Sequence, residues 1–281
     1  MARAPASLPP IFTAHLFPQL EGKLIDLLRS LSPQDWDQQT IALQWKVKDV
    51  AAHLLDTQVR KLSAARQQFT AHESKSLSQQ ELLEFINCLN AEGVRRYGQL
   101  SPEDLISQME AASRESAEYH QLLDPFAPAM FPVSWAGEEE SANWFDTARE
   151  FTERWHHQEQ IRLAVNRPGI MTREFYYPVL DCFLRALPYT YRNVPAPDGA
   201  LLNFHVSGEC GGSWHLFRSG SAWRLVPSPA GEIISETTIP QEIAWRIFTK
   251  GITRGEAERQ VYITGNADLG IHVLNMVSIV G

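Results

Sequence analysis

Apolar residues recur every three or four positions through roughly the first 165 residues of the chain, and nowhere in that stretch do they alternate one with one. That period is helical, and it confines the N-terminal half to helix packed on helix. From Phe12 to Leu31 the row is Leu16, Leu20, Leu24, Leu27, Leu28 and Leu31. A polar loop, Ser32 to Thr40, precedes a second row, Val50, Leu54, Leu55, Val59 and Leu62, which carries His53. Beyond a polar linker near His72 to Ser78, Leu82, Leu83, Ile86, Leu89 and Val94 mark a third helix that ends around Gly98. Ser101-Pro102-Glu103-Asp104 has the form of an N-cap, a proline at the first helical position and acids in the first turn, and it starts a helix running to about Leu123. Asp124 to Gly137 reads as a loop, a long helix follows from about Ser141 to Val165, and Asn166-Arg167-Pro168-Gly169 breaks the chain.

The pattern then changes. After a helix near Thr172 to Leu187, Leu201 to Ser207, Ser213 to Arg218 and Ala222 to Pro227 are short β-type runs separated by Gly and Ser, expected to form one meander. Glu242 to Lys250 and Asp268 to Val280 read as helices, with Val261 to Thr264 a strand between them. The expected class is therefore α plus α+β: an antiparallel four-helix-type bundle over 1–168, followed by a smaller mixed α+β domain over 169–281. Gly208-Glu209-Cys210-Gly211-Gly212 is glycine-rich but lacks the Lys-Ser/Thr of a phosphate loop, and it reads as a hairpin turn.

With 33 acidic against 25 basic residues the formal charge is −8, and no Lys/Arg-rich run offsets it, so nucleic acid and anionic membrane are not expected partners. No stretch approaches the ~20 apolar residues of a membrane span, and the expected location is cytoplasmic. Cys88, Cys182 and Cys210 are odd in number and far apart, which suits three reduced thiols. The eight tryptophans are scattered without basic company and read as packing.

Chemistry is concentrated on two helices. Glu153 and His157 stand four residues apart, which stacks their side chains on one helical face. His53 lies in the apolar run Val50-Ala51-Ala52-His53-Leu54-Leu55, which turns it inward. Two His and one Glu form a ligand set for catalytic zinc with an open position. By spacing alone, however, the pair on the later helix is equally a surface contact, and His53 a buried imidazole with one hydrogen bond. Asn87 and Asn90 are further candidates for facing the bundle interior. No His-Glu-x-x-His or G-x-S-x-G element is present.

Two segments decide between these readings: Trp45-x-Val47-Lys48-Asp49-Val50-x-x-His53-Leu54, and Glu153-x-x-x-His157-x-x-Gln160-Ile161-Arg162-x-Ala164-Val165-x-Arg167-Pro168-Gly169. In order and distance they resemble the DinB-like superfamily, in its mycothiol-dependent maleylpyruvate isomerase branch. The resemblance implies that His53, Glu153 and His157 hold one divalent metal, zinc or else nickel. The metal would activate a low-molecular-weight thiol, such as mycothiol, that attacks an electrophilic substrate. In the isomerase the thiol adds to a carbon–carbon double bond, permits rotation and is expelled, and relatives resemble thiol S-transferases. Gly211-Gly212-Ser213-Trp214, Ala244-Trp245-Arg246 and Gly265-Asn266-Ala267-Asp268-Leu269 are similar to the sterol-carrier-like second domain of that branch. Family members carry an acid where this chain has Gln160. His156, about 100° round the helix from His157, ranks second as a ligand. Arg246 and Arg254 are both candidates for an arginine that the isomerase draws from its second domain, and neither is assigned. The alternatives are a non-catalytic metal- and ligand-binding stress-response protein and a metal-dependent hydrolase.

Overall fold

The computed structural model describes residues 8–67, 79–228 and 231–278. The polar linker expected near His72 to Ser78 and the end of the last expected helix lie outside them. The chain divides into two compact units. One comprises 12–132 and 140–171. To the other belong residues 8–11, the short segment Val133–Glu139, and the chain from Thr172 onward.

The first unit is the helical one. α1 (Phe17–Arg29), a single turn α2 (Pro33–Trp36), α3 (Val47–Arg66), α4 (Gln79–Tyr97), α5 (Pro102–Leu122) and α6 (Asn143–Ala164) follow the apolar periodicity closely. α1, α3, α5 and α6 form the bundle, and α4 lies along α3. Caps set the starts: Ser101 Oγ accepts from Asp104 N at 3.1 Å, and Asp49 Oδ2 accepts from Lys46 N at 2.9 Å. α6 stops where Asn166 turns left-handed at φ 52°, two residues before Pro168. The apolar core joins Leu24 and Leu28 of α1 to Val50, Leu54 and Leu55 of α3, Leu105 and Met109 of α5, and Ile161 of α6.

α6 is buried on nearly every side, polar residues included. Lys61 Nζ lies 2.5 Å from Asp146 Oδ2 and 3.6 Å from Glu150 Oε1. Arg149 bridges Asp146 and Glu150. Arg154 pairs with Glu150 at 3.1 Å and with Glu21 of α1 at 2.8 Å, while Ser113 and Gln58 close around Glu21. Burial alone would raise these carboxyls, and for Asp146 and Glu150 the positive charge of Lys61, then Arg149, reverses the sign and holds them below the ordinary range. Nothing in the sequence analysis anticipated this ladder. Its acids and bases at i, i+3 and i+4 look the same as a solvated helix face.

The second unit begins with α7 (Arg173–Leu184) and the turn α8 (Leu187–Thr190). β1 (Leu201–Ser207), β2 (Gly212–Ser219) and β3 (Ala222–Val226) form the expected meander. A fourth strand that the sequence analysis missed, β4 (Ile233–Pro240), runs parallel to β1. After α9 (Gln241–Phe248) and α10 (Arg254–Glu258), β5 (Tyr262–Gly265) pairs with β4, giving the order β3-β2-β1-β4-β5. β4 escaped notice because its buried positions are Ser235, Thr237 and Ile239, so the alternation is not one of hydrophobicity. The helix expected over Asp268 to Val280 is shorter than foreseen: α11 (Ala267–Ile271) gives way to a 3-10 turn over His272–Asn275, and Met276 is already extended. Gly208–Gly212 does form the hairpin bend between β1 and β2. A Cβ on Gly211 would lie 1.8 Å from Val206 O, so only glycine fits there. Helical bundle and smaller mixed α+β unit together match the expected class.

Candidate metal centre

In the bundle's interior α3 and α6 set the rings of His53 and His157 beside one another, and Glu153 lies one helical turn before His157. His53 is 4% exposed and His157 7%, and their ring centroids lie 4.6 Å apart. His157 Nε2 is 3.6 Å from Glu153 Oε2, one helical turn away. Trp45, just ahead of α3, lays its ring 4.6 Å from His53 and 6.0 Å from His157, walling one side with apolar surface.

Protonation suits an ion. Burial, then the positive potential of His157, drives His53 well below the ordinary imidazole range, so it is neutral with a lone pair to give. Burial would raise Glu153, but His156 and then His157 outweigh it and keep the carboxylate ionised. His157 Nδ1 lies 3.0 Å from Gln160 Oε1. An amide oxygen only accepts, so Nδ1 donates to it, and Nε2, facing Glu153, is the nitrogen left to meet an ion. Gln160 therefore orients the His157 ring. The fit extends to an orphan: His53 Nδ1 is buried with no hydrogen-bond partner, which a protein tolerates rarely and at a cost. Donor set, the neutral His53 imidazole and its unpaired nitrogen all fit a divalent cation.

His156 is closer than the helical angle suggested. Its ring stands 3.9 Å from that of His157, and Glu153, His156 and His157 form a trio whose ligand atoms lie within 4.8 Å of one another. His156 Nδ1, however, faces Thr152 O at 3.2 Å, a bond that uses one nitrogen and leaves Nε2 as the only ligand atom. Burial depresses its pKa to about 3. Two sets thus compete on α6, one completed by His53 and one by His156.

The remaining candidates fall away from this centre. Asn87 is exposed, and Asn90 Oδ1 accepts from Arg60 at 2.8 Å. Arg254 is paired with Glu258 at 2.6 Å and bonded to Asn275. Arg246 is half-buried, its guanidinium 5.6 Å from the Trp245 ring and its Nε unpaired. Neither Cys88, Cys182 nor Cys210 is in a disulfide. Among the described residues no helix is long and apolar enough to cross a membrane.

No curated protein matches the chain. Among solved structures, a crystal structure of a histidine-to-alanine mutant of the mycothiol-dependent maleylpyruvate isomerase is similar to it at a TM-score of 0.53 and 10% identity, over 89% of this chain and 91% of that one. A second structure of that isomerase superposes with a TM-score of 0.45 at 10% identity, covering 83% and 86%. At such identity the likeness speaks for the fold. Sequence evidence comes from a family model: residues 17–162, just over half of the 281, match the mycothiol maleylpyruvate isomerase N-terminal domain. From α1 through α6, and so across both histidine-bearing segments, the chain belongs to that family.

Proposed function

We propose that the protein is a metal-dependent enzyme that activates a low-molecular-weight thiol, such as mycothiol, either to isomerise a small electrophile or to be transferred to one, with His53, Glu153 and His157 holding the metal. The observation that carries this reading is the meeting of two imidazoles, that of His53 held neutral by burial, with an ionised carboxylate beside the Trp45 ring in the bundle interior. A divalent ion bound there supplies Lewis acidity, which lowers the pKa of a thiol and stabilises the thiolate, the reactive nucleophile. The chain's own residues supply the rest. Glu153 contributes negative charge that keeps a cation in place. Gln160 fixes the tautomer and azimuth of His157. Trp45 excludes water from one side, which strengthens every electrostatic contact inside.

The first test is elemental analysis of the purified protein beside His53→Ala, Glu153→Ala and His157→Ala, with His156→Ala as the rival ligand. About one zinc or nickel per chain, lost in the first three and kept in the fourth, supports the set. Loss in His156→Ala with retention in His53→Ala replaces one histidine by the other. Metal-loaded protein that consumes neither maleylpyruvate with mycothiol nor mycothiol with a general electrophile points instead to a non-catalytic binding protein.

A further inference from the structure

α6 carries one histidine more than the centre described above requires. Glu153, His156 and His157 fall at i, i+3 and i+4, the spacings that put side chains on one helical face, and their ligand atoms lie within 4.8 Å of one another. The ring of His157 has that of His53 at 4.6 Å and that of His156 at 3.9 Å. A charge on either α6 histidine is felt at His53 as well as at Glu153. The four side chains therefore form one cluster, and the two ligand sets can serve a single ion together.

His156 is held as a ligand would be. Its Nδ1 stands 3.2 Å from Thr152 O, a carbonyl one turn back on its own helix. A carbonyl only accepts, so Nδ1 donates and Nε2 is the nitrogen left to meet an ion. No hydrogen bond engages Nε2 among the described residues. His157 is tied back in the same way, through Nδ1 and Gln160, and such a tether behind the ring is what orients a metal-binding histidine. As a packing residue His156 would leave one nitrogen unused in a side chain only 2% exposed, which proteins rarely tolerate.

We infer that His156 is a fourth protein ligand of the resting site and the one that gives way to the thiol. The inference rests on the metal-dependent reading above. A centre with three protein ligands keeps its fourth position for water or substrate; His156 there closes the resting site to water. It is also the ligand the helix places worst, since it points about 100° from His157, and so it is the one that leaves. Thiolate and imidazole are both good ligands for zinc, whereas water is a weak one. A thiol that yields its proton to solvent can therefore take the place of His156, and water cannot. His156 thus acts on specificity, admitting thiol chemistry while suppressing hydrolysis of the electrophile.

The test reads coordination rather than turnover. Full-length protein is loaded with cobalt(II) in place of zinc, because four-coordinate cobalt absorbs visible light several-fold more strongly than six-coordinate cobalt does. The parent should show strong bands, and His156→Ala should retain the metal but show weak ones. Added imidazole should restore the strong bands in the variant. N-acetylcysteine should raise a sulfur-to-metal charge-transfer band in both, at a concentration about tenfold lower in the variant, which has no histidine to displace. Equal spectra in parent and variant, or equal affinity for the thiol, would overturn the role of His156 and leave the centre of His53, Glu153 and His157 standing. A parent that binds neither cobalt nor zinc would overturn that centre, and this inference with it. If His156→Ala fails to fold, X-ray absorption of the zinc-loaded parent decides: three imidazoles per ion are expected, and two would refute the assignment.

Discussion

Replacing Lys61 by methionine removes the cation at the head of the buried ladder on α6 while keeping most of the side chain's volume. Lys61 is 5% exposed and Asp146 1%, so neither water nor salt can take over the lost charge. With Lys61 present, three cations (Lys61, Arg149, Arg154) face three carboxylates (Glu21, Asp146, Glu150). Without it, Arg149 alone must serve Asp146 and share Glu150. Leaving one buried carboxylate uncompensated costs about 3–5 kcal/mol. In a unit of this size each kcal/mol moves Tm by about 2–4 °C, so the variant should melt roughly 6–20 °C lower in a calorimeter. Lys61→Met with Asp146→Leu restores the balance, two cations against two carboxylates, and should recover most of the loss because a well-packed apolar pair can match a buried ion pair. A single variant that melts within about 2 °C of the parent, or a double variant worse than the single, would refute the claim that charge balance governs this region.

Three further outcomes can be checked. Gln160→Leu removes the acceptor that orients His157 and should weaken zinc binding about 10–100-fold in a chelator competition, while Gln160→Glu should keep or strengthen it. His120, stacked on Phe17, is held neutral chiefly by burial and then by Arg154, its pKa depressed from 6.5 to about 3. The unfolded chain therefore takes up a proton that the folded chain refuses. The contribution of His120 is complete above pH 6.5 and is lost as pH falls toward 3, at up to about 1.4 kcal/mol per pH unit, and urea titrations of His120→Phe should show a flatter acid limb. Gly93 of α4 lets Asp56 of α3 approach so closely that an added Cβ would lie 2.1 Å from its carboxyl, which Arg60 pins at 2.6 Å. Gly93→Ala should lose about 1–3 kcal/mol of stability through that clash, against the ~1 kcal/mol that alanine gains over glycine in a helix. A variant as stable as the parent in urea would show that Asp56 moves aside freely.

How much of this was legible in the sequence depended on what each position is buried against. Leu24, Leu28 and Leu54 announce themselves because apolar burial leaves a periodic trace, and so the helices of the bundle came through nearly to their ends. β4 left none, since serine and threonine occupy its inward places. The expectation that His53, Glu153 and His157 act together rested on two local segments that resemble a known family, and spacing could not reveal that His156 stands 3.9 Å from His157. Nor could it distinguish Arg154 and Glu150, both buried, from the exposed pair Arg254 and Glu258, which has the same i, i+4 separation. Charge patterns are identical on a wet face and in a dry core until the partner helix is known. A polar row across the sheet, His215, Asn203 and Glu236, is of the same kind: the three are far apart in the chain, and only strand register joins them.

The ladder on α6 has a consequence for how such a protein can change. Leucines and valines hold a helix at the right distance but permit it to turn, because a neighbouring apolar side chain serves nearly as well. Lys61 and Glu21 grip α6 from two different helices through groups that accept no substitute direction. They act as an azimuthal key, and the direction in which Glu153 and His157 point is set by it. Insertion of a single residue between Arg154 and His157 would swing the histidine by about 100° while leaving the key engaged. Drift can therefore rewrite the greasy surfaces of this bundle extensively, but the stretch from Asp146 to His157 can be lengthened or shortened only together with its partners.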